Sequence, residues 1–454
     1  MATTRLIRTP SSASNRKTFT ISLWFKIGRH PYTDGGSGTA REIIGQTSSG
    51  YFRCIINSAG AIVCYNEAPG FNFTTNRKFN DKSAFYHIVI RVDTTQATVN
   101  DRVRIYINGV DERTVGGYSA SGYVTPSQNE DLDWNITSVH QIGGHDNNYD
   151  YFSGVMSHIH HCDGQSYAPT VFGSVDATTG EWKINTSPTI TMGTNGFTIL
   201  KDGNTITDQS SNSNDFTLAS GTLTKTEDCP SNVFATFNPL CGANTMAVNT
   251  TFSNGNNTVV NSGSVYNPFG TTIGVNKGKF YAEFKANAAM GDGMVGVFAK
   301  LGGSSNYLGS QTHQYSWYNA SGGNIRNNGS DLVASVGTYT TNDIIGIALD
   351  CDNNKLYIHK NGTYISNGSG TGDPTNGNYG ISITDPDDTD LGFYFMSAMD
   401  WGGSTRGNWS ANFGNGYFGT TAVSSAGTNA SGIGIFEYDV PTVYTALSTK
   451  GLNA

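Results

Sequence analysis

The sequence predicts an all-β protein built as two consecutive antiparallel β-sandwiches, with no substantial helix. Three observations carry this. Charged residues make up only 14 % of the chain, so amphipathic helices would lack the charged outer face they need in water. The 23 Tyr, 23 Phe and 6 Trp supply ample core material, which excludes a disordered polymer. Finally, short apolar runs alternate with period two between Gly/Asn/Asp/Ser clusters, with 56 glycines in the 454 residues, the pattern of strands and turns. Sandwiches often run to ~200 residues each, which favours two domains over three.

The net charge of −8 lacks the basic footprint of a nucleic-acid binder. The N-terminus, Met1 to Leu6, has no apolar h-region, so no secretory signal is expected. No run approaches the ~18 apolar residues of a membrane helix, and no membrane insertion is expected.

Strands are predicted in order at Phe19–Phe25, Ala84–Val92 and Arg102–Ile107, then at Val139–Gly144 and Tyr151–Ile159. The first should be half buried, because its apolar residues alternate. Asn108-Gly109 signals a type I′ hairpin. Six cysteines (Cys54, Cys64, Cys162, Cys229, Cys241, Cys351) form no Cys-x-x-Cys pair, which excludes the common zinc-ribbon and thioredoxin-like motifs. Tyr51–Ile56 and Ala61–Tyr65 read as strands around Ser58-Ala59-Gly60. A three-residue loop with Gly60 left-handed pairs Asn57 with Ala61 and Cys54 with Cys64, close enough for either a disulfide or two reduced thiols.

The succession FTISLWF (Phe19–Phe25), FYHIVIRVD (Phe85–Asp93), VRIYING (Val103–Gly109), Ile142-Gly143-Gly144 and Tyr151-Phe152-Ser153-Gly154 resembles a laminin-G/concanavalin-like jelly roll, with Tyr86 where that family more often has Trp. Asp163-Gly164-Gln165 followed by Phe172-Gly173 is similar to the end of the jelly roll in marine bacteriophage proteins. The resemblance covers about the first 200 residues. Phe197–Leu200 and Phe216–Leu218, around the polar Asp208–Asp215 turn, are expected to close this sandwich. The expected organisation is therefore a jelly roll over 1–225, a packed connector over 226–264, and a second sandwich with a C-terminal extension over 265–454.

In the second half, strands are predicted at Gly278–Phe284, Met294–Phe298, Tyr315–Tyr318, Asp343–Asp350 and Lys355–His359, followed by the Lys360-Asn361-Gly362 turn. With Phe413-Gly414 as a terminal strand, this order resembles the SPRY (B30.2-like) sandwich over about 265 to 420. The C-terminal stretch Val443–Asn453 also looks like phage tail-associated proteins.

The concanavalin-like scaffold includes glycoside hydrolases, but none of Glu42, Glu67, Glu112, Glu130, Glu181, Glu227, Glu283 and Glu437 begins a Glu-x-Asp-x-Glu run, which would set two carboxylates ~5–5.5 Å apart on one groove. Nor is there a Gly-x-Ser-x-Gly elbow or a His-Glu-x-x-His. No catalytic residue is assigned and an enzyme is not expected. On a regular strand, His158, His160 and Cys162 would share one face, which two ligands of a zinc site could use, although histidines on strands ordinarily serve as core or hydrogen-bonding groups. Asp385, Asp387, Asp388 and Asp390 concentrate carboxylates in one loop, as a calcium site would and as a solvated turn also would; no cofactor is required. His145, Asn147, Asn148, Tyr149, Tyr151 and Trp401 place aromatic faces beside amides in polar loops, a composition suited to stacking and hydrogen-bonding sugars, unless the rings pack beneath their own loops.

The resemblance implies a bacteriophage virion protein, a tail fibre or tail-associated appendage that recognises a glycan or protein of the host surface without catalysis. Its partners would be other virion proteins, tail or capsid, and the host receptor. It would be displayed on the virion as a homo-oligomer, a trimer by family habit, after synthesis in the host cytoplasm. A head fibre or capsid decoration protein, and a glycan-degrading enzyme, are the alternatives.

Overall fold

The computed structural model describes residues 3–28, 40–47, 50–67, 70–146, 150–201, 205–241, 250–261, 268–301, 306–400 and 407–454. The chain divides into two compact units, residues 1–225 with 229–231, and residues 226–228 with 232–454. Among the described residues the α-helices are two single turns, Val99–Arg102 and Glu112–Val115. The fold is all-β.

The first unit packs a seven-stranded sheet on a six-stranded one, counted over the described residues. The larger sheet runs in the order Thr217–Ser220, Arg5–Arg8, His140–Ile142, Ala40–Gln46, Phe52–Asn57, Ile62–Asn66, Phe71–Thr74. Its register explains its two faces. One row across it, Leu6–Ile142–Ile44–Cys54–Cys64–Phe73, is apolar and at most 2 % exposed. The adjoining row, Ile7–Gln141–Gly45–Arg53–Tyr65–Asn72, is mostly polar and faces away from the core, since consecutive strand residues point to opposite faces. The Cys54–Cys64 pairing follows the predicted turn: Asn57 bonds the Ala61 carbonyl at 2.9 Å and Gly60 has φ +81°. The two thiols lie 2.9 Å apart, both free, and burial raises that of Cys54 well above its usual range.

The smaller sheet runs Phe197–Ile199, Gly154–Asp163, Thr18–Ile27, Tyr86–Asp93, Val103–Ile107, Val110–Asp111. Asn108 and Gly109, at φ +50° and +80°, form the predicted hairpin turn. Thr18–Ile27 is buried on both faces rather than half buried. The reason is a covering segment: Tyr167, Phe172, Ile190 and Met192 pack with Val89, Tyr106 and Cys162 on the outer face. There Trp24 stacks on the His87 ring at 4.6 Å and Trp182 stacks on it at 6.0 Å. Trp182 Nε1 donates to His87 Nδ1 at 3.0 Å, so the other ring nitrogen carries the proton and donates to Ser22 Oγ at 2.9 Å.

The second unit also packs two sheets. Among the described residues a nine-stranded sheet has Lys279–Ala286, Ile344–Asp350 and Lys355–Lys360 at its centre, with Thr363–Tyr364 at one edge. A six-stranded sheet holds Gly293–Phe298 and Gln314–Tyr318. Thr250–Ser253 and Thr258–Asn261 join the nine-stranded sheet beside Asn408–Asn412, and that last strand ends before Phe413, which is fully buried. Phe280, Ala282 and Phe284 enter the core between the sheets. Tyr281 and Glu283 point the other way, where Glu283, Gly346 and His359 align across three strands.

Candidate functional site

The sequence directs attention to the loop between His140–Ile142 and Gly154–Asp163 of the first unit. Its described residues are pinned at both ends. Phe152 N donates to Gly143 O at 2.8 Å, Glu42 N to Asp150 O at 2.8 Å, and Gly28 N to Ser153 O at 2.8 Å. His145 is 9 % exposed; its Nδ1 lies 2.6 Å from Asp146 Oδ1, and its ring meets Tyr51 edge-on at 6.1 Å. Burial, reinforced by Arg53, lowers the His145 pKa against the opposing pull of Asp146 and Asp150. Tyr151 is half buried beneath its own loop: a Cβ at Gly144 would stand 2.6 Å from the Tyr151 ring. Its ring therefore serves loop packing, and its hydroxyl lies 3.4 Å from Ser220 Oγ. Asn147, Asn148, Tyr149 and Trp401 lie outside the described residues.

Beside this loop is a constellation that no sequence motif announces. Arg53 Nε donates to Glu42 Oε2 at 2.6 Å, Arg53 Nη2 lies 2.9 Å from Asp150 Oδ2, and Nη1 reaches Tyr65 Oη at 3.3 Å. One guanidinium thus holds two carboxylates, those of Glu42 and Asp150. Glu42 is fully buried, and desolvation pushes its pKa up to about 7 against the attraction of Arg53. Among the described residues its second oxygen, Oε1, has no hydrogen-bond partner, and neither end of the fully buried Gln141 amide has one. Gln141 pairs with Gly45, and a Cβ at Gly45 would fall 2.0 Å from Glu42 Oε1. Only glycine leaves room for that carboxylate. The readable signal was a Glu followed directly by two apolar residues, and an Arg directly before Cys54, in strands that are otherwise buried.

Among the described residues no group of three or more His, Cys, Asp or Glu side chains is arranged to hold a metal. The regular strand assumed for His158, His160 and Cys162 is interrupted: the register shifts between Ser157 and His160, and His158 has φ +48°. His158 Nδ1 bonds Ser157 Oγ at 2.7 Å, and His160 Nδ1 bonds Thr198 Oγ1 at 2.9 Å. The four loop aspartates have separate surroundings. Asp385 caps the short 3-10 turn Pro386–Asp388 and accepts from Asn354 at 3.1 Å. Asp390 lies 3.1 Å from Lys300 Nζ, while Asp387 and Asp388 are exposed.

Residues 2–165 match the family model of the concanavalin A-like lectin/glucanases superfamily. No curated protein matches the chain. Solved structures similar to it include the SPRY domain of human HERC1, at 16 % identity over 34 % of this chain and 86 % of that one, with a TM-score of 0.25. A pentraxin from Limulus polyphemus matches at 14 % identity, over 37 % and 72 %, with a TM-score of 0.25. A candidate carbohydrate-binding protein from Bacteroides ovatus matches at 13 % identity, over 48 % and 59 %, with a TM-score of 0.29.

Proposed function

We propose that this chain is a non-catalytic recognition protein of a bacteriophage particle, a tail fibre or tail-associated appendage whose first sandwich engages a host-surface glycan or protein. The observation that carries the binding role is the match of residues 2–165 to a lectin-containing family. The backbone bonds that hold Gly143, Asp150, Phe152 and Ser153 support it, because recognition loops work best on a rigid frame. The phage assignment follows from the motif order and the C-terminal stretch, and the trimeric state and virion partners follow from that assignment. A head fibre or decoration protein is the same chemistry attached elsewhere.

The alternative is a glycan-cleaving enzyme on the same scaffold. The Glu42–Asp150 pair on Arg53 does not support it, because Glu42 is fully buried and a general acid must reach its substrate. Binding of labelled protein to candidate bacterial cells, with soluble surface polysaccharide as competitor, tests the first reading. Saturable, competed binding without release of reducing ends is the expected result. Absent binding overturns the recognition role, and release of reducing ends by the purified chain establishes the enzyme instead.

A further inference from the structure

We propose that the second unit carries a saccharide site of its own: a cleft of about 420 Å³ on the outer face of the nine-stranded sheet, suited to one or two uncharged, hydroxyl-rich sugar rings. It is independent of the first unit's role and can fail separately. The volume lies within the ~300–1,000 Å³ of small-ligand sites.

The floor is His359, whose position is tightly determined. Its Nδ1 accepts the Gly362 N–H at 3.1 Å, so Nε2 carries the proton and donates to Tyr281 Oη at 2.6 Å. Tyr281 in turn donates to Glu283 Oε1 at 3.1 Å. Glu283 also accepts the backbone N–H groups of Glu437 and Tyr438 and the Asn412 amide, which ties the C-terminal segment to the sheet and forms the far wall. Gly346 makes the arrangement possible, since a Cβ there would lie 1.9 Å from His359 Nε2.

Tyr364 and Tyr438 stand roughly perpendicular to the imidazole, at 5.1 and 5.3 Å. Both line the cleft and are half buried, giving flat surfaces for the C–H face of a sugar. Asp373, Thr375, Thr428 and Asp439 supply polar groups around them. Asp439 spends only Oδ1 on the protein, accepting from Thr428 N and Oγ1. Its other oxygen is open, as a charge-assisted acceptor for a sugar hydroxyl. No Lys or Arg lines the cleft, so its two carboxylates repel an anionic ligand, and its exposed hydroxyls offer little to an apolar peptide side chain.

The test titrates the isotope-labelled full chain with cellobiose, lactose and chitobiose, and with glucuronic acid as the anionic probe, following backbone amide shifts. Saturable shifts with a neutral probe, centred on Gly362, Asp373, Thr428 and Asp439, are expected. Asp439→Asn, which retains the Oδ1 acceptor, should weaken that binding by about tenfold with an unchanged unfolding midpoint. Tyr438→Leu should weaken it further. The proposal is overturned if no neutral probe shifts these amides at the limit of its solubility, if Asp439→Asn binds as tightly as the parent, or if glucuronic acid is preferred. Shifts confined to the 143–152 loop would support the first unit's lectin role and also overturn this site.

Discussion

Arg53 is the residue whose loss should be felt most in the first unit. It is the shared counter-charge of two carboxylates that are at most 9 % exposed. Arg53→Ala leaves both facing each other, and breaking such a buried pair costs about 3–5 kcal/mol. Glu42→Gln should cost much less, because a carboxyl with a pKa near 7 is substantially protonated at neutral pH. Urea unfolding at pH 7 checks the order; equal losses would mean that Glu42 is ionised and that its pair with Arg53 carries the whole effect. Nothing in local sequence pairs Glu42 with Asp150, which are far apart along the chain. Their meeting is decided by the alignment of the Ala40–Gln46 strand with Phe52–Asn57 and by the loop that carries Asp150.

At the scale of elements, turn chemistry was the most legible part. Asn57 to Ala61, Asn108-Gly109 and Asn361-Gly362 all turn where predicted, with the glycines at φ +80° to +83°, because left-handed backbone is inexpensive only for Gly and tolerable for Asn. Tertiary contacts then separate otherwise equivalent glycines. A Cβ at Gly109 would reach 2.4 Å from the Trp182 ring, whereas at Gly180 it would meet nothing within 4 Å. Gly180→Ala should therefore cost about 1 kcal/mol of backbone strain alone. Gly109→Ala should cost about 2–4 kcal/mol, the same strain plus an overpacked contact. Unfolding midpoints of the two variants compare them, and similar shifts would mean that Trp182 yields freely. The half-buried reading of Phe19–Phe25 failed for a related reason. Alternation reports polarity, and Thr20 and Ser22 are polar yet buried, their hydroxyls bonded to Gln165 O and to the His87 ring.

Over the whole molecule, buried titratable groups predict different acid responses of the two units. In the first, burial holds His87, His140, His160 and His161 near a pKa of 3. A histidine depressed in the folded state contributes stability that is complete above its unfolded value of about 6.5 and is lost as pH falls toward the folded value. Glu42, raised to about 7, acts oppositely: its contribution is complete below its unfolded value of 4.5 and is lost as pH rises through 7. At pH 5.5 these five groups together bind about three more protons in the unfolded first unit than in the folded one, a contribution of about 4 kcal/mol per pH unit to the slope. In the second unit His359, near 3, and Glu283, near 7, nearly cancel between pH 6.5 and 4.5. Hydrogen exchange read separately in each unit, corrected for intrinsic rates, should show the first losing protection on acidification through this window while the second holds. Equal loss in both would refute the assignment of neutral buried histidines.

The sequence by itself determined the all-β class, many of the strands and the hairpin registers at Asn57–Ala61 and Asn108-Gly109, because these follow from short-range periodicity and from the left-handed backbone of particular glycines and asparagines. It missed strands such as Ala40–Gln46 and Phe395–Asp400, whose residues carry no regular alternation. Tertiary structure alone decided which polar residues are buried together. Glu42 with Asp150 on Arg53, and His359 with Tyr281 and Glu283, come from strands and loops distant along the chain. Their energies depend on desolvation, which no local pattern of residues reports.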